Sequence, residues 1–119
     1  ATRMRAVETW LEDCFALATH ERMTAVAVML QANPNFEHKP VRGRDGYAGL
    51  RKLFAAHAAN FAGSVLVVHG DTHSYQNNHP LPNLQRVEVF GSPHVRWLRA
   101  GVPSAGEKDF PVVPADVPR

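Results

Sequence analysis

Cysteine is almost missing from this chain. Cys14 stands alone, so no disulfide can close within it. Long hydrophobic runs are missing too. The longest, Ala25 to Leu30 and Val65 to Val68, fall far short of the roughly 20 residues that a helix needs to cross a bilayer, and no secretory signal is visible. Charge of one sign is scarce. The 13 Lys and Arg against 11 Asp and Glu leave a formal net charge of +2, with a pI near 9.0. The basic residues are scattered, which falls short of the footprint of a nucleic-acid binder. There is no phosphate-cradling P-loop and no G-x-S-x-G elbow. Ser74 adjoins His73, but neighbouring side chains on a strand diverge, so the two do not make a nucleophile and its base. The sequence begins at Ala1 without Met, as expected of a processed product or a piece of something larger.

What is present is an ordinary globular composition. The 119 residues are 45% hydrophobic, enough for one domain and too few for two. Val7, Trp10, Leu11, Cys14, Phe15 and Ala18 recur at helical spacing, which predicts an amphipathic helix over about residues 4 to 21. Cys14 then reads as a small buried hydrophobe. Thr24 to Leu30 reads as a buried strand, ended by Gln31-Ala32-Asn33-Pro34-Asn35, because Asn and Pro favour turns. A polar loop reaches Arg44, and Asp45 is placed to cap a second helix. The stripe of that helix is Tyr47, Leu50, Leu53, Phe54, His57 and Phe61, with Gly63 as its stop.

Ser64 to Val68 is a second buried strand, and residues 74 to 83 read as a polar loop. Leu84–Phe90 and Val95–Val102 alternate apolar and polar side chains, the pattern of two strands in an antiparallel hairpin. The predicted order is α-β-α-β-β-β, an α/β fold with a mixed sheet. Its βαβ unit is a right-handed parallel crossover. Residues 1–102 form the domain. The tail from Pro103 to Arg119, with four prolines, is expected to coat it or to be partly disordered. Two helices cover one sheet face, and nothing obvious covers the other.

Sites in open α/β sheets form beyond the carboxyl ends of the strands. The first strand delivers Gln31 and Asn33 there; the second delivers His69, Asp71 and His73. Residues two apart on an extended segment point the same way, so these three could present two imidazoles and a carboxylate to one point. Such donors suit zinc, iron or manganese. An alternative stands beside this: a Gly-Asp turn whose histidines hydrogen-bond to loop backbone. His79, before Pro80, could approach the same crevice. His57 reads as a satisfied core group, and His38 and His94 as exposed. Gly43-Arg44-Asp45-Gly46 could hold an anion, but a simple capped helix start is the better account of it.

The segments WLEDCFALA, VAVMLQANPNFE, SVLVVHGDTHSY and HPLPNLQRVEVFGSPHVRWLRAGV follow one another between Trp10 and Val102. In that order they resemble the later half of calcineurin-like metallophosphoesterases, especially a bacterial group with a long C-terminal region. The resemblance implies half of a four-layer α/β/β/α sandwich. It implies hydrolysis of phosphate esters by a hydroxide held between two divalent metal ions. It places Gly70-Asp71-Thr72-His73 on the family's Gly-His-x-His motif, with His73 as the final ligand and Asp71 in the place of the penultimate one. Gln31-Ala32-Asn33-Pro34 falls where the family carries a His before Pro.

The family's upstream Asp-x-His, Gly-Asp-x-x-Asp and Gly-Asn-His motifs have no counterpart here. The resemblance therefore implies a domain incomplete and inactive alone. Self-association, or a partner, would cover the open sheet face. The competing expectation is a non-catalytic module that binds a metal or a protein.

Overall fold

The computed structural model describes residues 2–94 and 96–116. The chain is a mixed α/β domain. Helix α1 (Thr2–His20) leads into strand β1 (Ala25–Leu30), helix α2 (Ala48–Asn60) and strand β2 (Ser64–His69). Strands β3 (Gln76–Leu81), β4 (Leu84–Glu88), β5 (Arg96–Ala100) and β6 (Val112–Asp116) follow. The main sheet has the order β1-β2-β4-β3, and β5 pairs with β6 in a separate antiparallel ribbon. β1 and β2 run parallel with Leu30 beside His69, and β2 and β4 run parallel with His69 beside Glu88. The expected parallel βαβ unit is therefore β1-α2-β2.

The antiparallel pairing comes from other strands than the alternation suggested. Leu84–Glu88 pairs with Gln76–Leu81, inside the stretch that reads as a polar loop. Arg96–Ala100 pairs instead with the tail. Two features concealed β3. It is an edge strand, where Asn and Pro are tolerated and even protective. Its turn is only Pro82-Asn83, and Asn83 adopts φ 58, as the second corner of a type II turn requires. The Asn83 side chain then donates to the carbonyls of Ala58, Phe61 and Gly63 at 2.7, 3.1 and 3.0 Å. That ties the hairpin to the end of α2. Gly63 is needed there for space: a Cβ would sit 2.2 Å from the Thr24 carbonyl oxygen.

Both helices pack on one face of the sheet. Leu11, Phe15 and Ala18 of α1 and Leu50, Phe54 and Ala58 of α2 bury against Val28, Val65, Val67 and Leu84. Phe15 meets Phe61 edge-on and stacks on His57, which is half-buried at the rim of the core. Trp10, expected on the buried stripe, is half exposed, and Cys14 is only partly buried. The inward face of α1 is centred on Leu11, Phe15 and Ala18, and Trp10 lies beside that arc rather than on it.

The opposite face is covered in part. Leu66 and Val87 bury with Phe110 of the tail, and Leu98 and Val112 of the ribbon pack against them. The tail thus coats the domain as far as the described residues go; residues 117–119 lie outside them. Met29 on this face stays 74% exposed. It lines a groove of about 340 Å³ with Val68, Val89, Trp97 and Leu98. Among the described residues no helix is long and apolar enough to cross a membrane.

Candidate functional site at the carboxyl edge of the sheet

β1 and β2 are adjacent and parallel, so their carboxyl ends open on one side. The chain reversals that follow them meet there. The Gly70 N–H donates to the Gln31 carbonyl at 3.1 Å. The Asn33 N–H donates to Asp71 Oδ2 at 3.3 Å. The Asn33 side chain accepts from the Asn35 N–H at 2.8 Å, an Asx turn that Pro34 reinforces. Gln31, His69, Gly70 and Val89 line an open cleft of about 410 Å³ at this edge.

The turn after β2 has an unusual backbone. Asp71 and His73 both occupy the left-handed region, at φ 92 and 60. Each such non-glycine residue costs on the order of 1–2 kcal/mol, so surrounding contacts must hold the turn. The His73 ring lies against Gly91 so closely that a Cβ there would sit 2.5 Å from it. Asp71 and His73 are exposed.

Beneath the turn lies a buried polar network, built on Arg86 and Glu88 from the polar side of the Leu84–Phe90 alternation and on His69. Arg86 and Glu88 are both 0% exposed and His69 is 1% exposed. Arg86 forms an ion pair with Glu37 from the loop after β1. It donates to Asn78 Oδ1 at 3.0 Å and Gln76 Oε1 at 3.1 Å, and it stands over the Phe36 ring. His69 Nε2 lies 3.2 Å from Arg86 Nη1, and its Nδ1 lies 2.9 Å from the Gly70 carbonyl. Arginine can only donate. Nε2 is therefore the acceptor, and Nδ1 carries the hydrogen that Gly70 accepts.

Glu88 faces the turn directly. One of its oxygens accepts from the Thr72 N–H at 3.1 Å, the Ser74 N–H at 3.2 Å and the Thr72 hydroxyl. The other accepts from Gln76 Nε2 at 2.9 Å. Burial works to raise the Glu88 pKa, but the bonds from Thr72, Ser74 and Gln76 outweigh it and hold the carboxyl below its ordinary value. Glu37 is likewise held low: burial opposes the charged form, and the bond and charge of Arg86 prevail.

These positions revise the expected donor set. Both ring nitrogens of His69 are committed to protein groups and one faces a cation, so His69 is a structural histidine and not a free ligand. Asp71 and His73 remain as one carboxylate and one imidazole at the surface. Among the described residues no three His, Cys, Asp or Glu side chains are grouped to hold a metal ion. The donors present do not by themselves fit a two-metal centre.

His79 lies away from the crevice. β3 runs antiparallel to β4, which carries it toward the other end of the sheet, where its Nε2 lies 2.9 Å from Asp109 Oδ1. Asp45 accepts from the Tyr47 N–H at 3.2 Å and grips Arg51, so the glycine-bearing turn before α2 is built around a carboxylate.

Glu37, Arg86 and Glu88 are the residues that the sequence reading passed over. The signal was in Arg-Val-Glu-Val. A strand flanked by neighbours on both sides and covered on both faces must bury its alternate charges as well as its valines. No family model, no curated protein and no solved structure matches this chain.

Proposed function

We propose that this chain is a domain of metal-dependent phosphoester-hydrolase lineage, of the calcineurin-like kind that its sequence resembles. In this reading the Asp71–His73 turn contributes part of a composite site, with further ligands supplied by polypeptide other than the described residues. The observation that carries it is the meeting of the Asn33 and Asp71 turns at the carboxyl edge of two adjacent parallel strands, 3.3 Å apart through Asn33 N and Asp71 Oδ2. This is the place where α/β sheets bind ligands. Gln31 and Asn33 flank the turn through their backbones and are the residues proposed to meet a phosphoester. A divalent ion, manganese, iron or zinc, would be the cofactor. Two donors hold such an ion weakly, so these residues alone are not expected to hydrolyse anything.

Calorimetric titration with zinc and manganese tests this, beside an assay with an aryl phosphate. The expected result is weak binding to one site, lost in His73→Ala, with no measurable turnover. No heat above background for either ion would remove the reading. Strong manganese-dependent turnover would remove its claim that the site is incomplete.

A second reading has its own observation. The groove beside Met29 is apolar and open, the kind of surface that favours association. A module that pairs with a second copy through this face would sediment as a dimer at raised concentration; a strict monomer would count against it.

A further inference from the structure

We infer that a second copy of this chain docks on the rim of the sheet at β1, joining β1 to β1 and α1 to α1 about one two-fold axis. This surface is separate from the groove beside Met29 and depends on neither that groove nor the crevice. The two edges of the main sheet are built differently. β3 is guarded. It carries Asn77, Asn78, His79 and Pro80, and its pairing with β4 slips between Asn78 and Leu81, devices that keep another strand from adding. β1 is the other edge. It reads Ala-Val-Ala-Val-Met-Leu, with no charge, no proline and no slip in its pairing. The Thr24 carbonyl accepts from the Ser64 N–H, so it faces β2. Successive residues of a strand turn their N–H and C=O to opposite sides. Val26, Val28 and Leu30 therefore face β2 as well, and Ala25, Ala27 and Met29 hold their backbone groups out at the open edge. Among the described residues no strand pairs there.

The flank of α1 above this edge is apolar where water should meet it. α2 occupies the other flank: Glu8 comes so close to Gly49 that a Cβ there would sit 2.7 Å from its Oε1, and Glu12 and Thr19 share a hollow with His57 and Asn60. On the free flank Val7, Trp10 and Leu17 are exposed and Cys14 is partly buried. Their spacing is that of a helix–helix seam. Arg3 and Glu21, both exposed, extend the row at its two ends. The row is complementary to itself. Laid antiparallel on its own copy, it sets Arg3 against Glu21, Val7 against Leu17 and Trp10 against Cys14, with the centre level with Glu12. β1 pairs antiparallel with its copy about Ala27. One axis serves both. Val7 lies beside Leu30 in the hollow at the end of β1; from there to Glu12 the helix climbs about 7.5 Å, roughly two residues of strand, which reaches Ala27 and Val28. Such a contact is isologous and closes on itself. A foreign strand would fit the edge but would lack the reciprocal charges. The Met29 side chain points into the groove on the far face and stays open to water in the pair.

Sedimentation equilibrium and amide hydrogen exchange, both on the whole chain, test this. The natural chain is expected to dimerise, and Trp10→Glu to sediment as a monomer with unchanged far-ultraviolet circular dichroism. In the dimer the amides of Ala25, Ala27 and Met29 are expected to exchange roughly tenfold more slowly, or slower still, than in Trp10→Glu. Arg3→Glu and Glu21→Arg are each expected to raise the dimer dissociation constant about tenfold, and the two together to bring it back to within about twofold, because the charges then attract again. Trp97→Glu, in the groove, is expected to leave it unchanged. A monomer at every concentration would overturn the inference. So would single charge variants that the double variant does not rescue, or outward amides that exchange as fast in the natural chain as in Trp10→Glu. A dimer lost in Trp97→Glu but kept in Trp10→Glu would overturn it too, and would put the contact in the groove instead.

Discussion

The helix-covered face of the main sheet changes character halfway along its strands. At the amino ends Val65, Val67 and Leu84 are buried among Leu11, Phe54 and Ala58. Two to four residues further on, His69, Arg86 and Glu88 are buried just as deeply, but they are held by hydrogen bonds and an ion pair. The two ends are stable for different reasons. The apolar end gains about 25 cal/mol for each Å² of apolar surface removed from water, whatever the partners are. The polar end gains nothing from burial and is tolerable only because its groups are paired, with Glu37, Gln76 and Asn78 completing the shell around Arg86. A packed core forgives substitutions of similar volume; a buried charge network does not. The apolar end fixes where the strands lie, and the polar end fixes how the chain leaves them.

The largest effect belongs to the apolar end. Phe54 is 1% exposed and meets Phe36 edge-on at 5.9 Å. Phe54→Ala is expected to cost about 3–5 kcal/mol in urea unfolding. Next comes Arg86→Met, at about 3 kcal/mol, the lower limit for breaking a buried pair, because the Glu37 side chain is 32% exposed and can turn to water. A neutral or stabilising Arg86→Met would erase the contrast between the two ends, since the network would then be replaceable by hydrocarbon.

How much of this was legible beforehand follows the same division. The helices, β1 and β2 declared themselves through apolar period, and so did the meeting of the Asn33 and Asp71 turns. Burial of those residues requires no partner, so the pattern suffices. The polar end was illegible for the complementary reason. Arg86 and Glu88 beside Val87 and Val89 look like a strand with one wet face. Only the placement of β4 between β2 and β3, under Phe36 and Glu37, shows that the face is closed. His69 misled by its spacing to Asp71 and His73: the extended geometry that would align the three ends with β2 at His69, and the backbone turns left-handed at Asp71.

Acid sharpens the comparison further. Glu88 and Glu37 are both held below the usual carboxyl value of 4.5. A group with a depressed folded pKa contributes stability above its unfolded value, and that contribution is lost as pH falls through the folded one. The natural chain should therefore lose stability as pH drops below about 5, and the loss should begin at the polar end, with Thr72 and Ser74 exchanging before Val65 and Val67. Glu88→Gln is expected to cost about 1–3 kcal/mol at pH 7 and to flatten the acid limb of the stability curve. An acid limb identical in the two proteins would show that the carboxylate does not hold the turn.

The smallest effect is expected on the other face. Met29 belongs to the same β1 that carries Val28 into the core, yet its side chain points into the open groove. Exposed positions without special contacts change stability by no more than about 0.5 kcal/mol, so Met29→Glu should leave the urea midpoint almost unmoved at every protein concentration. If instead it lowers the midpoint by an amount that grows with protein concentration, Met29 is covered in solution by a second copy, since only an associating surface couples stability to concentration. The sheet would then be dry on both faces around Met29, with its polar groups gathered at the carboxyl edge.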